Sequence, residues 1–357
     1  MSKKKVLVAM SGGVDSSAAA ALLLDEGYEV EGATMQIWPD VTDEEERITR
    51  GCCSQSAVDD ARRVAMHLGI KYHVFNFKDI FEKSVISPFV CEYLRGRTPN
   101  PCIECNKIVK FEAFLNRALT LGFDYIATGH YGRIAQNGNG RWQLLRSVTA
   151  AKDQTYALYN LTQKQLSHLL LPVGDMEKPK IREYAKAHDI PVFNKPDSQE
   201  ICFVRDNDYA GFIRSRGYED KPGDFVDIHG NKIGEHKGIY RYTVGQRKGL
   251  GGTFGKPMFV VGLNPDTNEI TLGENADTFA HELYAHELNW IAFDVPPAEF
   301  KCMAKIRYNG PAAAATVYPD DNGGVRVVFD EPARAVTPGQ SVVFYDGDVV
   351  IGGGKID

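Results

Sequence analysis

Ser11-Gly12-Gly13-Val14-Asp15-Ser16-Ser17 gathers hydroxyls, two adjacent glycines and a carboxylate into one short stretch. It follows an apolar run, Val6 to Met10, that reads as a buried strand, and it opens into Ala18 to Leu24, which reads as a helix. A strand, a glycine loop and a helix start form a cradle for anions, because loop amides point inward and the helix dipole is positive there. Gly12 and Gly13 let the backbone approach a phosphate with no Cβ in the way. Ser11 and Ser16 add hydroxyl donors, and Asp15 can hold Mg²⁺ or fix the loop. The loop ends without a lysine, so it is not a Walker A loop.

Thiols form the second chemical set. Cys102 and Cys105 make a CxxC at the start of a helix expected from Asn106 to Leu121, where the dipole favours thiolate. Cys202 stands about a hundred residues later, in Asp197-Ser198-Gln199-Glu200-Ile201-Cys202-Phe203. A sulfur carrier needs a thiolate that can form and surrender a persulfide, with a second thiol to resolve it. Cys52 and Cys53 are adjacent and read as structural. Cys91 and Cys302 lie among apolar residues and read as core.

The elements that must position these groups alternate. Tyr28 to Met35, Lys71 to Phe77 and Asp124 to Thr128 read as strands, and Ser54 can cap a helix running through His67. Gly27, Gly69 and Gly122 each end a helix just before a strand, the mark of repeated βα units. The expected fold is α/β, a doubly wound parallel sheet with its ligand site at the carboxyl ends of the strands. Met35 and Gly129 stand at two such ends and can line a nucleotide pocket, although Met35 could equally be core. Pro39 to Gly51 and Ser87 to Pro101 read as polar connecting stretches long enough to be functional. Leu161 to Leu170 and Lys178 to His188 read as helical.

The character changes near residue 206. Phe225 to Ile228 and Ile239 to Val244 read as short strands. Residues 237–265 hold Lys237, Arg241, Arg247, Lys248 and Lys256 with no acid until Asp266, which marks Gly245 to Gly252 as a basic loop suited to phosphate contact. The last third is β. Asp320-Asp321-Asn322-Gly323-Gly324 reads as a hairpin turn, Asp346-Gly347 as a type I′ turn, and the strands around them suggest a small barrel. At 357 residues and net charge −6, the chain is expected to form two or three domains and to meet a polyanion only through a local basic patch. Nothing in it reads as a membrane span or signal peptide, and the seven cysteines follow no disulfide framework, so a cytoplasmic protein is expected.

SGGxDS resembles the PP-loop of N-type ATP pyrophosphatases. Beyond it, Gly96 to Phe111, Ala127 to Gly132, Lys152 to Tyr159, Asp197 to Phe203, Gly245 to Gly251 and Thr337 to Gln340 resemble, in order, the bacterial tRNA-uridine 2-sulfurtransferases. That resemblance implies a Rossmann-like PP-loop domain over 1–205, a central tRNA-binding domain over 206–272 and a C-terminal β-barrel over 273–357. It implies that ATP adenylates the 2-oxygen of a wobble uridine in tRNA, and that a persulfide on Cys202 then displaces AMP, with Cys105 as the second catalytic cysteine. ATP would be bound by Ala9, Met10, Ser11, Gly12, Gly13, Val14, Asp15 and Ser16, with Met35 and Gly129. Asn100, Pro101 and Cys102 would face the target base. His130, Lys152, Asp153, Gln154, Arg307, Tyr308 and Gln340 would contact tRNA, alongside Arg247 and Lys248 of the basic loop. Mg²⁺ would neutralise pyrophosphate, and a sulfur donor protein or sulfide would supply the sulfur.

One position departs from the commonest family pattern, which has aspartate where this chain has Cys102. Cys102, Cys105 and Cys202 could instead be three ligands of a [4Fe–4S] cluster, as in some related tRNA thiolases. Zinc suits less well, because a closed site wants a fourth ligand. An ATP-dependent amidating synthetase would share the loop but leave the cysteines without a task. A tRNA-binding protein with a vestigial nucleotide fold would not need Ser11, Asp15 and Ser16.

Overall fold

The computed structural model describes residues 3–37, 55–197, 201–204 and 207–357. Cys52, Cys53, Ser54, the stretch from Pro39 to Gly51 and residues 198–200 lie outside the described residues. The chain divides into two compact units. One comprises residues 1–85, 102–207 and 348–350; the other comprises 86–101, 208–347 and 351–357.

The first unit is built on five parallel strands: β1 (Lys5–Ala9), β2 (Glu29–Gln36), β3 (Tyr72–Asn76), β4 (Tyr125–Ala127) and β7 (Leu169–Leu170), in the order β3-β2-β1-β4-β7. Val6, Leu7 and Val8 are fully buried because β1 is central, with neighbours on both edges. Helix α1 (Val14–Asp25) follows β1, and its Ala18-Ala19-Ala20-Ala21 run is buried, small side chains letting the helix lie close to its neighbours. Helix α2 (Gln55–His67) precedes β3. Gly27, Gly69 and Gly122 take positive φ of 88°, 67° and 84°, the left-handed geometry that ends each βα unit. The strand order reverses between β2 and β4 about β1, so the crevice of this sheet opens beyond the ends of β1 and β4.

Two expectations change in this unit. The predicted helix through Leu170 is shorter, Gln163–Leu166, and Leu169–Leu170 is the edge strand β7, paired with Ile126 and Ala127. A short apolar run carries no period that separates strand from helix, and the open edge of β4 decides it. The helix expected from Asn106 starts instead at Pro101, runs Pro101–Glu104, widens into i→i+5 turns over Cys105–Ala113, and continues as Phe114–Thr120. Proline is tolerated at a first helical position because that amide has no partner inside the helix. A hairpin of β5 (Arg133–Gln136) and β6 (Trp142–Leu145) completes the unit, with Val349 paired to Leu145.

The second unit begins with helix α3 (Ser87–Leu94), within the stretch expected to be a polar loop. Phe89, Val90 and Tyr93 bury one face of it, which outweighs the proline at its start. Cys91, expected in the core, is exposed on the other face. Cys302 is half-buried in the barrel, where burial pushes its thiol up to about 12. A four-stranded sheet follows: β8 (Gly223–Val226), β9 (Lys232–His236), β10 (Phe259–Asn264) and β11 (Glu269–Gly273), in the order β10-β11-β8-β9. Residues 239–244 form a turn rather than the predicted strand, with a 3₁₀ segment at Ile239–Arg241.

Six strands then close a barrel: β12 (Phe279–Trp290), β13 (Phe300–Lys305), β14 (Ala312–Pro319), β15 (Val325–Arg334), β16 (Ser341–Asp346) and β17 (Val349–Ile356). Their order is β12-β15-β14-β13-β16-β17, and β12 pairs with β17 to seal it. The turn at 320–324 forms as expected, with Asp320 Oδ1 accepting from the amides of Asn322 and Gly324. In the β16–β17 turn Gly347 has φ 55° while neither Asp346 nor Asp348 is positive, so the turn is not type I′, which needs two such residues.

Candidate functional site

The loop after β1 is held by its own hydroxyls. The Ser11 amide donates to Ser16 Oγ (3.2 Å), and the Ser16 and Ser17 hydroxyls both donate to Gly13 O (3.2 and 2.9 Å). Met10 is 1 % exposed and anchored to β2 through its amide on Ala33 O and the Thr34 hydroxyl on its carbonyl. Ala9 and Val14 are buried on either side of the loop. At Gly12, φ is +68° and a Cβ would sit 2.4 Å from Ala57 O. At Gly129, beyond β4, a Cβ would sit 2.5 Å from Ser16 N and 2.6 Å from the Asp15 carbonyl carbon. Gly129 therefore packs its backbone directly on the first turn of α1, and no larger residue fits. Met35, at the end of β2, is 7 % exposed.

Charge surrounds this loop. Lys178, at the first position of helix α4 (Lys178–Ala187), places Nζ 2.7 Å from both Asp15 oxygens and 2.8 Å from Asp197 Oδ1. The Tyr131 hydroxyl donates to Asp15 Oδ1 at 2.8 Å, and burial, with the neighbouring carboxylate, drives that phenol well above its ordinary value. Lys152 and Arg182 each donate to Asp197 at 2.9 Å. Burial pushes the Asp197 carboxyl up, but the bonds from Lys178 and Lys152 outweigh it and bring it down to about 2. On the other side, Lys195 donates to Gly12 O (3.1 Å) and Asp60 Oδ2 (2.6 Å). Tyr131, Lys178, Arg182 and Lys195 were not singled out from the sequence. The one local signal was the first turn of α4, which carries Lys178 and Lys180 and no acid, against the helix dipole.

The residues expected to contact tRNA divide. Gln154 is bound to Tyr131 twice, Oε1 accepting from the Tyr131 amide and its own amide donating to Tyr131 O (both 2.9 Å). Asp153 accepts from the Ser147 amide and the Thr155 hydroxyl. His130 sits 2.8 Å from Thr128 Oγ1, and burial, aided by Lys110, holds its imidazole well below the ordinary value and therefore neutral at pH 7. In the second unit Arg307 donates to the carbonyls of Val244 and Ala335 and to Thr337 Oγ1, and Gln340 Nε2 donates to Thr98 O at 2.8 Å. Tyr308 is 38 % exposed with Lys305 over its ring, and Arg247 and Lys248 are exposed. Gly245 N donates to Val260 O and Val260 N to Gln246 O, so the basic loop is pinned to β10. Asn100 is half-buried and Pro101 buried.

Cys102 is exposed, and Cys105 is half-buried where the wide turns begin. Asn106 beside it is 3 % exposed; its Nδ2 donates to Ala157 O, and its Oδ1 meets no hydrogen-bond partner among the described residues. Cys202 is half-buried in a turn closed by Val204 N on Ile201 O, and Phe203 next to it packs edge-on against Phe81. Among the described residues, which include all three cysteines, no group of three His, Cys, Asp or Glu side chains could hold a metal ion. Both Asp15 oxygens accept from Lys178 Nζ.

A parallel sheet with a glycine–serine loop at its switch point defines a PP-loop nucleotide-binding protein, here followed by a small mixed sheet and a closed antiparallel barrel. Residues 4–206 match the family described as tRNA methyl transferase HUP domain, 211–274 its PRC-barrel domain, and 280–356 the aminomethyltransferase β-barrel domain. Over the full length the chain is 60% identical to the tRNA-specific 2-thiouridylase MnmA of Acetivibrio thermocellus, covering 100% of both chains. It is 54% identical to those of Clostridioides difficile and Carboxydothermus hydrogenoformans, covering 99% of this chain and 98% of each relative. The chain belongs to the tRNA-specific 2-thiouridylase family.

Proposed function

We propose that this chain uses ATP to replace the 2-oxygen of a tRNA uridine with sulfur. The observation that carries the reading is the loop at the switch point, whose amides and hydroxyls are organised by Ser16 and closed by Gly129, in a chain matching full-length thiouridylases from end to end. The matched domain descriptions speak of methyl transfer instead. Full-length kinship weighs more, because it spans every domain at once, and methyl transfer from a sulfonium has no use for a triphosphate cradle.

In the first step the uridine O2 attacks the α-phosphorus of ATP, and pyrophosphate leaves from the loop. The O2–adenylate converts a poor leaving group into AMP. Mg²⁺ would come with the phosphates of ATP, which supply most of its ligands in such sites. In the second step the terminal sulfur of a Cys202 persulfide attacks C2 and AMP leaves. Cys105 thiolate then attacks Cys202 Sγ, the C2 thiocarbonyl is released, and a Cys105–Cys202 disulfide remains for an external dithiol to reduce. The half-buried settings of both cysteines suit a thiol that must be shielded yet reachable. The outer sulfur comes from a donor persulfide: Cys202 thiolate attacks its terminal sulfur and the donor's thiol leaves; the exposed Arg247 and Lys248 meet tRNA phosphates.

The test is mass analysis of tRNA nucleosides after incubation with ATP, a persulfide sulfur donor and a dithiol. Thiolated uridine that requires ATP and is absent with Cys202→Ser is the expected result. A methylated nucleoside formed from a methyl donor, or thiolation that persists without ATP, would overturn the reading.

A further inference from the structure

The phosphate loop contains no lysine, yet a triphosphate needs cationic partners when it leaves water. We propose that Lys178 supplies that cation: its ammonium meets the phosphates of bound ATP, while Asp15 and Asp197 hold it in place beforehand. The proposal deepens the ATP-dependent reading above and rests on it.

Lys178 is 8 % exposed, and its Nζ reaches three carboxylate oxygens, two on Asp15 and one on Asp197. Asp15 lies in the first turn of α1, so this ammonium sits against the side chain that borders the cradle. A lysine at this point runs against local rules twice. It is buried, and it stands at the positive end of its own helix, whose first turn has no acid and whose N-cap Glu177 precedes it. The carboxylates do not need it in order to be satisfied. Asp15 also has Tyr131, and Asp197 also has Lys152 and Arg182. A buried ion pair is weak ground for stability, whereas a local rule broken at a site is the ordinary sign of function.

The charge pattern agrees. Among the described residues, Lys152, Lys178 and Arg182 pair with Asp15 and Asp197, three cations against two carboxylates beside an anion cradle. Without Lys178, the Asp15 carboxylate would repel the phosphates that the loop amides attract. With it, a flexible four-carbon stem lets the ammonium turn from Asp15 to a phosphate oxygen while Asp197 keeps its base fixed.

The experiment measures binding of a non-hydrolysable ATP analogue by calorimetry to the wild type, Lys178→Met, Lys178→Arg and the double variant Lys178→Met/Asp15→Asn. Lys178→Met should weaken binding about tenfold to a hundredfold, the worth of a charge-assisted bond. Lys178→Arg keeps both charge and pairing, so it should fold as the wild type does and lose only a few-fold in affinity. The double variant leaves no unpaired carboxylate on the loop, so it secures folding and should remain as weak as Lys178→Met. Restored affinity in the double variant would mean that Lys178 acts only on Asp15, and would overturn the proposal. So would a Lys178→Met protein that melts earlier but binds ATP as the wild type does. Pyrophosphate release with tRNA is followed separately: wild type that binds the analogue but releases none would sink the thiolation reading and leave the Lys178 result standing.

Discussion

Polar side chains around the phosphate loop bond chiefly to one another, whereas those of Arg307 and Gln340 in the second unit bond largely to the backbone. Lys178, Asp15, Asp197, Lys152, Arg182 and Tyr131 form a web of side-chain pairs whose members can exchange partners when an anion arrives. Arg307 bridges the carbonyls of Val244 and Ala335, and Gln340 holds Thr98 O, while the Thr98 amide donates to Pro338 O. Those bonds join segments far apart in sequence and leave the side chains little freedom. The first arrangement suits a site that responds to a ligand, and the second a brace. The web around Asp15 and Lys152 and the bonds of Arg307 and Gln340 thus differ in what their loss should do.

The largest effect should come from Gly129→Ala. Its methyl would meet the backbone of Asp15 and Ser16, which cannot move without opening the loop. Pyrophosphate release should fall by about a hundredfold or more, on the scale of misplacing a reacting group by an ångström, and near-normal turnover would break the comparison on its catalytic side. Arg307→Met should instead cost about 2 kcal/mol of stability by stranding buried carbonyls, with the KM for ATP unchanged. A protein as stable as wild type that has lost only tRNA affinity would return Arg307 to the role of a contact.

The charged web also predicts a pH dependence that the brace lacks. Asp197 lies below its ordinary 3.8, at about 2, so its contribution to stability is present above 3.8 and lost as pH falls through about 2. Asp197→Asn should flatten the acid limb of melting temperature against pH; an unchanged limb would show that the web is not what acid breaks. Replacing both Arg247 and Lys248 by Ala should leave stability within about 0.5 kcal/mol and lower the salt dependence of tRNA binding by about one unit per lost phosphate contact. The smallest effect is expected from Cys102→Asp. Its side chain is exposed, and a relay through Cys105 and Cys202 makes no use of a third thiol, so thiolation should stay within a few-fold of wild type. A sharp loss together with iron and acid-labile sulfide on protein purified without oxygen would favour a [4Fe–4S] cluster on Cys102, Cys105 and Cys202 over the relay.

Short-range signals were legible because backbone preference is local. Gly27, Gly69 and Gly122 announced the βα units, and Asp320-Asp321-Asn322-Gly323-Gly324 announced its hairpin, since left-handed φ and side-chain-to-amide bonds involve only a few neighbouring residues. Position in the chain could not say that Leu169–Leu170 would be a strand, because the free edge of β4 decides that. Nor could it say that Ile239–Val244 would turn rather than extend. The burial of α3 likewise overrode a stretch whose prolines and polar residues read as loop.

By itself, then, the sequence determined the phosphate loop, the alternation that places it at a switch point, the thiols and the basic loop. Each depends on residue types within a span that one element covers. Only the tertiary structure decided which cation serves that loop. Lys178 and Asp15 are 163 positions apart and meet because α1 and α4 pack on the same unit, and Lys195 reaches Gly12 across 183. Electrostatic pairing acts over a few ångströms of space with no regard for distance along the chain, so it leaves no periodic trace for a sequence to carry.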